Sequence, residues 1–151
     1  MKRLWTCLFI SLTVNATAQT ATPEIPDQKF GDIAAVFPHA GSPTGAVIVY
    51  NPIICQQIGA AACDFFRVHE HGHVYLRHQF QPFVHPTERE RDADRFAAAN
   101  AYPQAVLAAW YLFRSGGSSS NWHTYGTPFQ RAHRLCVFAK QAGNWIGPPQ
   151  C

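Results

Sequence analysis

The chain has 151 residues, 47% of them apolar and only 14% charged, with a formal net charge of +3. That length and apolar content suit one packed domain with one core and exclude two. The charge falls to +1 once Lys2 and Arg3 are set aside, and no polybasic run remains, which argues against nucleic acid as a partner.

The first eighteen residues read as a leader rather than as part of a fold. Lys2 and Arg3 precede an apolar run over 4–14, and Ala16-Thr17-Ala18 offers small residues for cleavage near Ala18. The run is shorter than the roughly twenty residues of a membrane-spanning helix, and no later run reaches that length. A monomeric mature chain without a membrane span, periplasmic or secreted, is the expectation. Residues 19–29 (QTATPEIPDQK) are polar, contain Pro23 and Pro26 and show no periodicity, which predicts a flexible leader ahead of a single domain over 30–151.

Residues 33–37 and 46–50 are short apolar, β-branched runs separated by PHAGSPTG, and they predict two strands joined by a turn-rich loop. The second, AVIVY, reads first as an ordinary core strand, and in a peptidase it could instead pair with an extended peptide by strand addition. A short helical turn over IICQQI stops at Gly59. Helices are then predicted over 60–79, 87–101 and 104–114. A last one runs from Thr127, with Pro128 in its first turn, to Gly143. Before it lies SGGSSSN (115–121), a composition that suits a flap. The expected class is α+β, mostly helical, with a short two- or three-stranded sheet and about four helices.

Residues 69–73 read His-Glu-His-Gly-His. On a helix, His69 and His73 project from one face a turn apart, so two imidazoles can share one metal ion. Glu70 adjoins them, and this H-E-x-x-H arrangement is the one in which a glutamate serves as general base on a zinc-activated water. Two stripes support the helix: Ala61, Phe65, Val68, Gly72 and Leu76, and beside them Ala62, Phe66, His69 and His73. Gly72 costs about 1 kcal/mol against Ala inside a helix, which points to close packing over it. His71 lies about 100 degrees or more around the helix from either ligand and is expected to pack or face the surface.

A catalytic zinc takes three protein ligands and a water. Glu90 and Asp94 are four apart on the next helix. Glu90 could complete the coordination, and Asp94 could accept the N–H of a ligating imidazole. Glu88 and Asp92 share that spacing, and alternation with Arg89, Arg91 and Arg95 suits a solvated face. Thr87 with Glu90 also fits a capping box.

These motifs together, HEHGH followed by Glu-x-x-Ala-Asp and Arg-Phe-Ala, resemble the gluzincin class of zinc metallopeptidases, in particular soluble relatives of the CAAX-prenyl-protease-like group. The resemblance covers roughly residues 63–100 and implies a minimal zincin-like domain binding one Zn2+. It implies that Glu90 rather than Glu88 is the third ligand, because Ala93-Asp94 supplies the Ala-Asp pair, and that Asp94 orients a histidine. That group also carries Ser-His-Pro followed by an arginine. Here WHTYGTPFQR offers His123 and Arg131 without the Ser-His-Pro, leaving His123 and Tyr125 as candidate oxyanion stabilisers.

Beyond Cys7, the cysteines are Cys55, Cys63, Cys136 and Cys151, an even set in a chain with a leader, which argues for two disulfides. The local pairings Cys55–Cys63 and Cys136–Cys151 are expected. The first requires a chain break near Gly59, since eight residues of unbroken helix would separate the Cα atoms by about 12 Å. The functional expectation is a peptidase acting on a peptide or protein substrate, with Glu70 as general base. The rival is a non-catalytic periplasmic metal-binding protein, collecting copper or zinc on His69, His71, His73 and His78.

Overall fold

The computed structural model describes residues 21–117 and 121–151, so the leader expected over 1–18 lies outside the described residues, as does part of the 115–121 loop. The chain is α+β and mostly helical, as the sequence leads one to expect. Strands β1 (Glu24–Pro26), β2 (Ala34–Pro38) and β3 (Ala46–Tyr50) are followed by α1 (Pro52–Ile58) and α2 (Ala60–Tyr75). After a 3-10 turn at His78–Phe80 come α3 (Pro86–Asn100), α4 (Pro103–Arg114), the single turn α5 (Trp122–Tyr125) and α6 (Pro128–Gln141).

The sheet order is β1-β3-β2, with β1 parallel and β2 antiparallel to β3. One difference from the sequence reading lies at the N-terminal end. Residues 24–26, expected in a flexible leader, form an edge strand. Glu24 anchors it by accepting from Arg67 and contacting His71 Nε2 at 2.8 Å, both on α2. Strand β3 is paired on both sides, as an ordinary core strand, which leaves no edge on it for an extended peptide. This explains why AVIVY is apolar throughout, with Ala46, Val47 and Ile48 all buried.

Helix α2 is the axis of the core. Phe65 and Phe66 meet Phe113 of α4 in edge-to-face contacts at 6.3 and 5.9 Å. On its other flank α3 presents Ala93 and Ala97, fully buried. A Cβ placed on Gly72 would sit 3.0 Å from the Cβ of Phe96 in α3, so the glycine sets how near the two helices come. The break at Gly59 (φ 89°) turns α1 back on α2 and lets Cys55 and Cys63 pair at a Cα separation of 5.0 Å. Cys136–Cys151 ties the tail to α6, so both expected disulfides form.

Helix α2 ends at Tyr75, four residues short of the expected 79, because Arg77 adopts a left-handed conformation (φ 59°). The chain doubles back there and buries His78 beneath α2. Helix α3 starts at Pro86 with His85 as its cap, so the Thr87–Glu90 capping box does not form and the Glu90 side chain is free to turn inward. Helix α6 does carry a capping box, Thr127 with Gln130.

Gly72→Ala tests the α2–α3 approach. Helix propensity alone favours alanine by about 1 kcal/mol. The Phe96 Cβ is fixed to backbone and cannot swing aside, so the variant is expected to be less stable in urea unfolding, against the propensity ranking.

Candidate metal centre

His69 and His73 leave α2 on one face, and both are buried. Their Nε2 atoms lie 3.2 Å apart. Glu90 Oε2, carried in from α3, is 3.1 Å from His69 Nε2 and 3.4 Å from His73 Nε2. Ligand atoms bonded at about 2.0–2.1 Å around a tetrahedral ion stand roughly 3.3 Å apart. The three separations match that edge length, so the residues present fit a small divalent cation. The competing pair on α3, Glu88 and Asp92, is exposed to solvent.

Glu70 stands beside this triangle. His69, Glu70 and His73 form a buried group whose donor atoms lie within 4.8 Å of one another, a group that could hold a metal ion. Glu90 is nevertheless the closer carboxylate, because Glu70 Oε1 is 4.0 Å from His69 Nε2. The other Glu70 oxygen, Oε2, accepts the backbone N–H of Val36 in β2 at 2.9 Å. One oxygen is therefore fixed by the sheet and the other faces the imidazoles. Burial holds the Glu70 carboxyl above its ordinary range, against the opposing pull of His69 and His73.

Both imidazole rings are held from behind. His69 Nδ1 is 3.0 Å from Asp94 Oδ1. At that separation the carboxylate and the ring are in direct electrostatic contact. Asp94, fully buried, receives Arg131 as a fork, Nη2 to Oδ1 at 2.7 Å and Nε to Oδ2 at 3.0 Å. The Arg131 guanidinium in turn lies over the rings of Phe113 and Tyr125 at 4.5 and 4.9 Å. Burial works to raise the Asp94 carboxyl, but Arg131 and then His69 overcome it and hold it well below the usual range. In the metal-free protein burial also acts to lower His69, and Asp94 and Glu90 outweigh it, raising the ring to about 10.

His73 is backed by His78, which the sequence reading placed only among the histidines of the rival metal-collecting protein. Its Nδ1 lies 2.9 Å from Nδ1 of His78, which is also buried. Burial first, and His73 next, hold His78 below its ordinary value, so it stays neutral and can accept the His73 Nδ1–H. No motif spacing marks it, since the contact depends on the reversal at Arg77. His71, by contrast, is turned to Glu24 and away from the site.

A cleft of about 510 Å³ reaches the centre, and His69, Glu70, Tyr125 and Arg131 are among its lining residues. Burial, with Glu90 next, raises the Tyr125 phenol, which remains a hydrogen-bond donor. His123 is exposed and outside that lining, its carbonyl accepting from Thr87. No family model matches the chain, and no curated protein and no solved structure matches it.

Two outcomes are expected. His78→Leu should weaken binding of an added divalent metal roughly 10- to 100-fold, with part of the loss restored in His78→Gln, as measured by competition with a chromogenic chelator. In the metal-free protein, Glu90 and Asp94 bind protons less readily folded than unfolded, where their values are 4.5 and 3.8. Their contribution is present above those values and lost as pH falls below them. His69 rises from 6.5 to about 10, so its contribution is whole below 6.5 and lost as pH climbs toward 10. Urea midpoints should therefore peak between about pH 4.5 and 6.5.

Proposed function

We propose that the chain is a zinc-dependent peptidase of the gluzincin kind, with His69, His73 and Glu90 holding one zinc ion and Glu70 as general base. The observation that carries the reading is the placement of Glu70: one oxygen is held by the Val36 N–H and the other stands by the ligand triangle. When bound, zinc supplies Lewis acidity and lowers the pKa of a water to about 7. Glu70, its carboxyl raised by burial, takes a proton from the attacking water and passes it to the leaving amine. Tyr125 donates its O–H to the oxyanion that develops on the carbonyl. Asp94, braced by Arg131, and His78 keep the two imidazoles in their tautomers.

The open strand edge beside Glu70 belongs to β2, not β3. The Val36 N–H points outward from the sheet to Glu70, and Ala34, two residues back, lines the cleft on the same side. A substrate strand would lie along this edge. The leader read over 1–18 and the two disulfides support export to an oxidising compartment, periplasmic or extracellular. The rival reading, a histidine-based metal scavenger, loses support because His71 is committed to Glu24 and does not join His69, His73 and His78.

Glu70→Gln separates the two readings. The peptidase should retain about one zinc per chain while hydrolysis of a peptide library falls by at least about 100-fold. A scavenger would show variable metal loading and no hydrolysis in either form.

A further inference from the structure

We infer that the turn over residues 81–84 is a docking tip that inserts Phe83 into the interfacial layer of an anionic lipid bilayer. The inference does not depend on the peptidase reading. Phe83 is 99% exposed, more than any other large apolar side chain among the described residues, and Phe80, three residues earlier, is 59% exposed. A phenylalanine left in water forgoes the burial it ordinarily gains on folding. The turn holds Phe83 in that position. The Val84 N–H donates to the Gln81 carbonyl at 3.3 Å, which closes a β-turn with Pro82 and Phe83 at its centre. Proline at the first central position presets the backbone angle such a turn requires. The foot is braced as well: the N–H groups of Phe80 and Gln81 donate to the carbonyls of Arg77 and His78 at 2.9 and 3.1 Å. The tip of the Phe80 ring lies 3.0 Å from where a Cβ on Gly45 would sit, so the β2–β3 loop supports it from one side. Helix α3 begins at Pro86, immediately beyond the turn.

The chemistry around the tip favours lipid over a protein partner. The polar side chains that flank it are turned back on the chain. Gln81 Nε2 donates to the Leu76 carbonyl at 3.1 Å, and His85 Nδ1 accepts the Thr87 N–H at 3.3 Å. What faces outward is an aromatic ring beside the exposed Pro82. Such a tip lacks the side-chain hydrogen bonds that a protein interface ordinarily carries. It suits the boundary of a bilayer, where ring side chains settle among the headgroups. Charge selects the kind of surface. Residues 75–87 (YLRHQFQPFVHPT) contain no aspartate or glutamate, and Arg77, at the foot of the turn, is exposed. A cation so placed is attracted to anionic headgroups. The first carboxylate after the tip, Glu88, lies on α3.

Co-sedimentation of the exported protein with sucrose-loaded vesicles tests this, using phosphatidylcholine alone and phosphatidylcholine mixed equally with phosphatidylglycerol. The wild type should partition onto the mixed vesicles, and more weakly onto phosphatidylcholine alone. Phe83→Ser, a change at a side chain the fold does not bury, should lower that partition at least about fivefold. Arg77→Gln should lower it about fivefold on the anionic vesicles and leave phosphatidylcholine binding unchanged. Phe83→Trp should bind like the wild type, and its added emission should shift to the blue when anionic vesicles are present. No partition of the wild type onto anionic vesicles overturns the inference, as does a partition that Phe83→Ser leaves unchanged. Self-association without vesicles that is lost in Phe83→Ser would assign the tip to a second copy of the chain, and overturns it as well.

Discussion

Asp94 has no exposed surface, and its two oxygens are divided between the Arg131 fork and the Nδ1 of His69. A carboxylate taken out of water at that depth is costly unless every lone pair finds a donor, and a guanidinium likewise. Here each offsets the other, and the ring faces of Phe113 and Tyr125 cover the cation. The chain of contacts runs from α6 through α3 to α2, so three helices must be docked before it is complete. The orientation of one imidazole is thereby tied to the packing of the whole domain. A merely structural ion pair would serve as well to hold the helices. What sets this one apart is that it ends on a ring whose other nitrogen points at His73 and Glu90.

Close approach of α2 and α3 is the second constraint. Gly72 under Phe96, and the alanines at 93 and 97, let the helices come near enough for Glu90 to span from one to the other. A small domain has little apolar core to spend on positioning a site. The two disulfides compensate: one clamps α1 against the start of α2, the other holds the tail to α6. Neither bridge includes an element that carries Glu90, and both bear on the candidate centre only through the core.

Much of the site could be read from the chain because it follows helix periodicity. His69 with His73, and Glu90 with Asp94, are each four apart, and that spacing alone puts each pair on one face. The disulfide pairing was legible for a similar reason, since Gly59 announces the bend that the first bridge requires. What escaped depends on tertiary reversal. His78 reaches His73 only because Arg77 takes a left-handed turn that favours glycine, so nothing in the sequence signals it. Strand β1 contains a proline and three residues, and it exists because Glu24 finds Arg67 and His71 on a helix distant in sequence. The role of Arg131 needs α6 to pack on α3, and the cap on α3 falls to His85 rather than to Thr87.

Zinc-edge X-ray absorption of the metal-loaded protein tests the central claim most directly. The account expects one zinc per chain in a four-coordinate nitrogen and oxygen shell at about 2.0–2.1 Å, with two imidazoles resolved and the shell altered in Glu90→Ala. A sulfur-containing shell, an oxygen-only shell of higher coordination, or a spectrum identical in wild type and Glu90→Ala would contradict it.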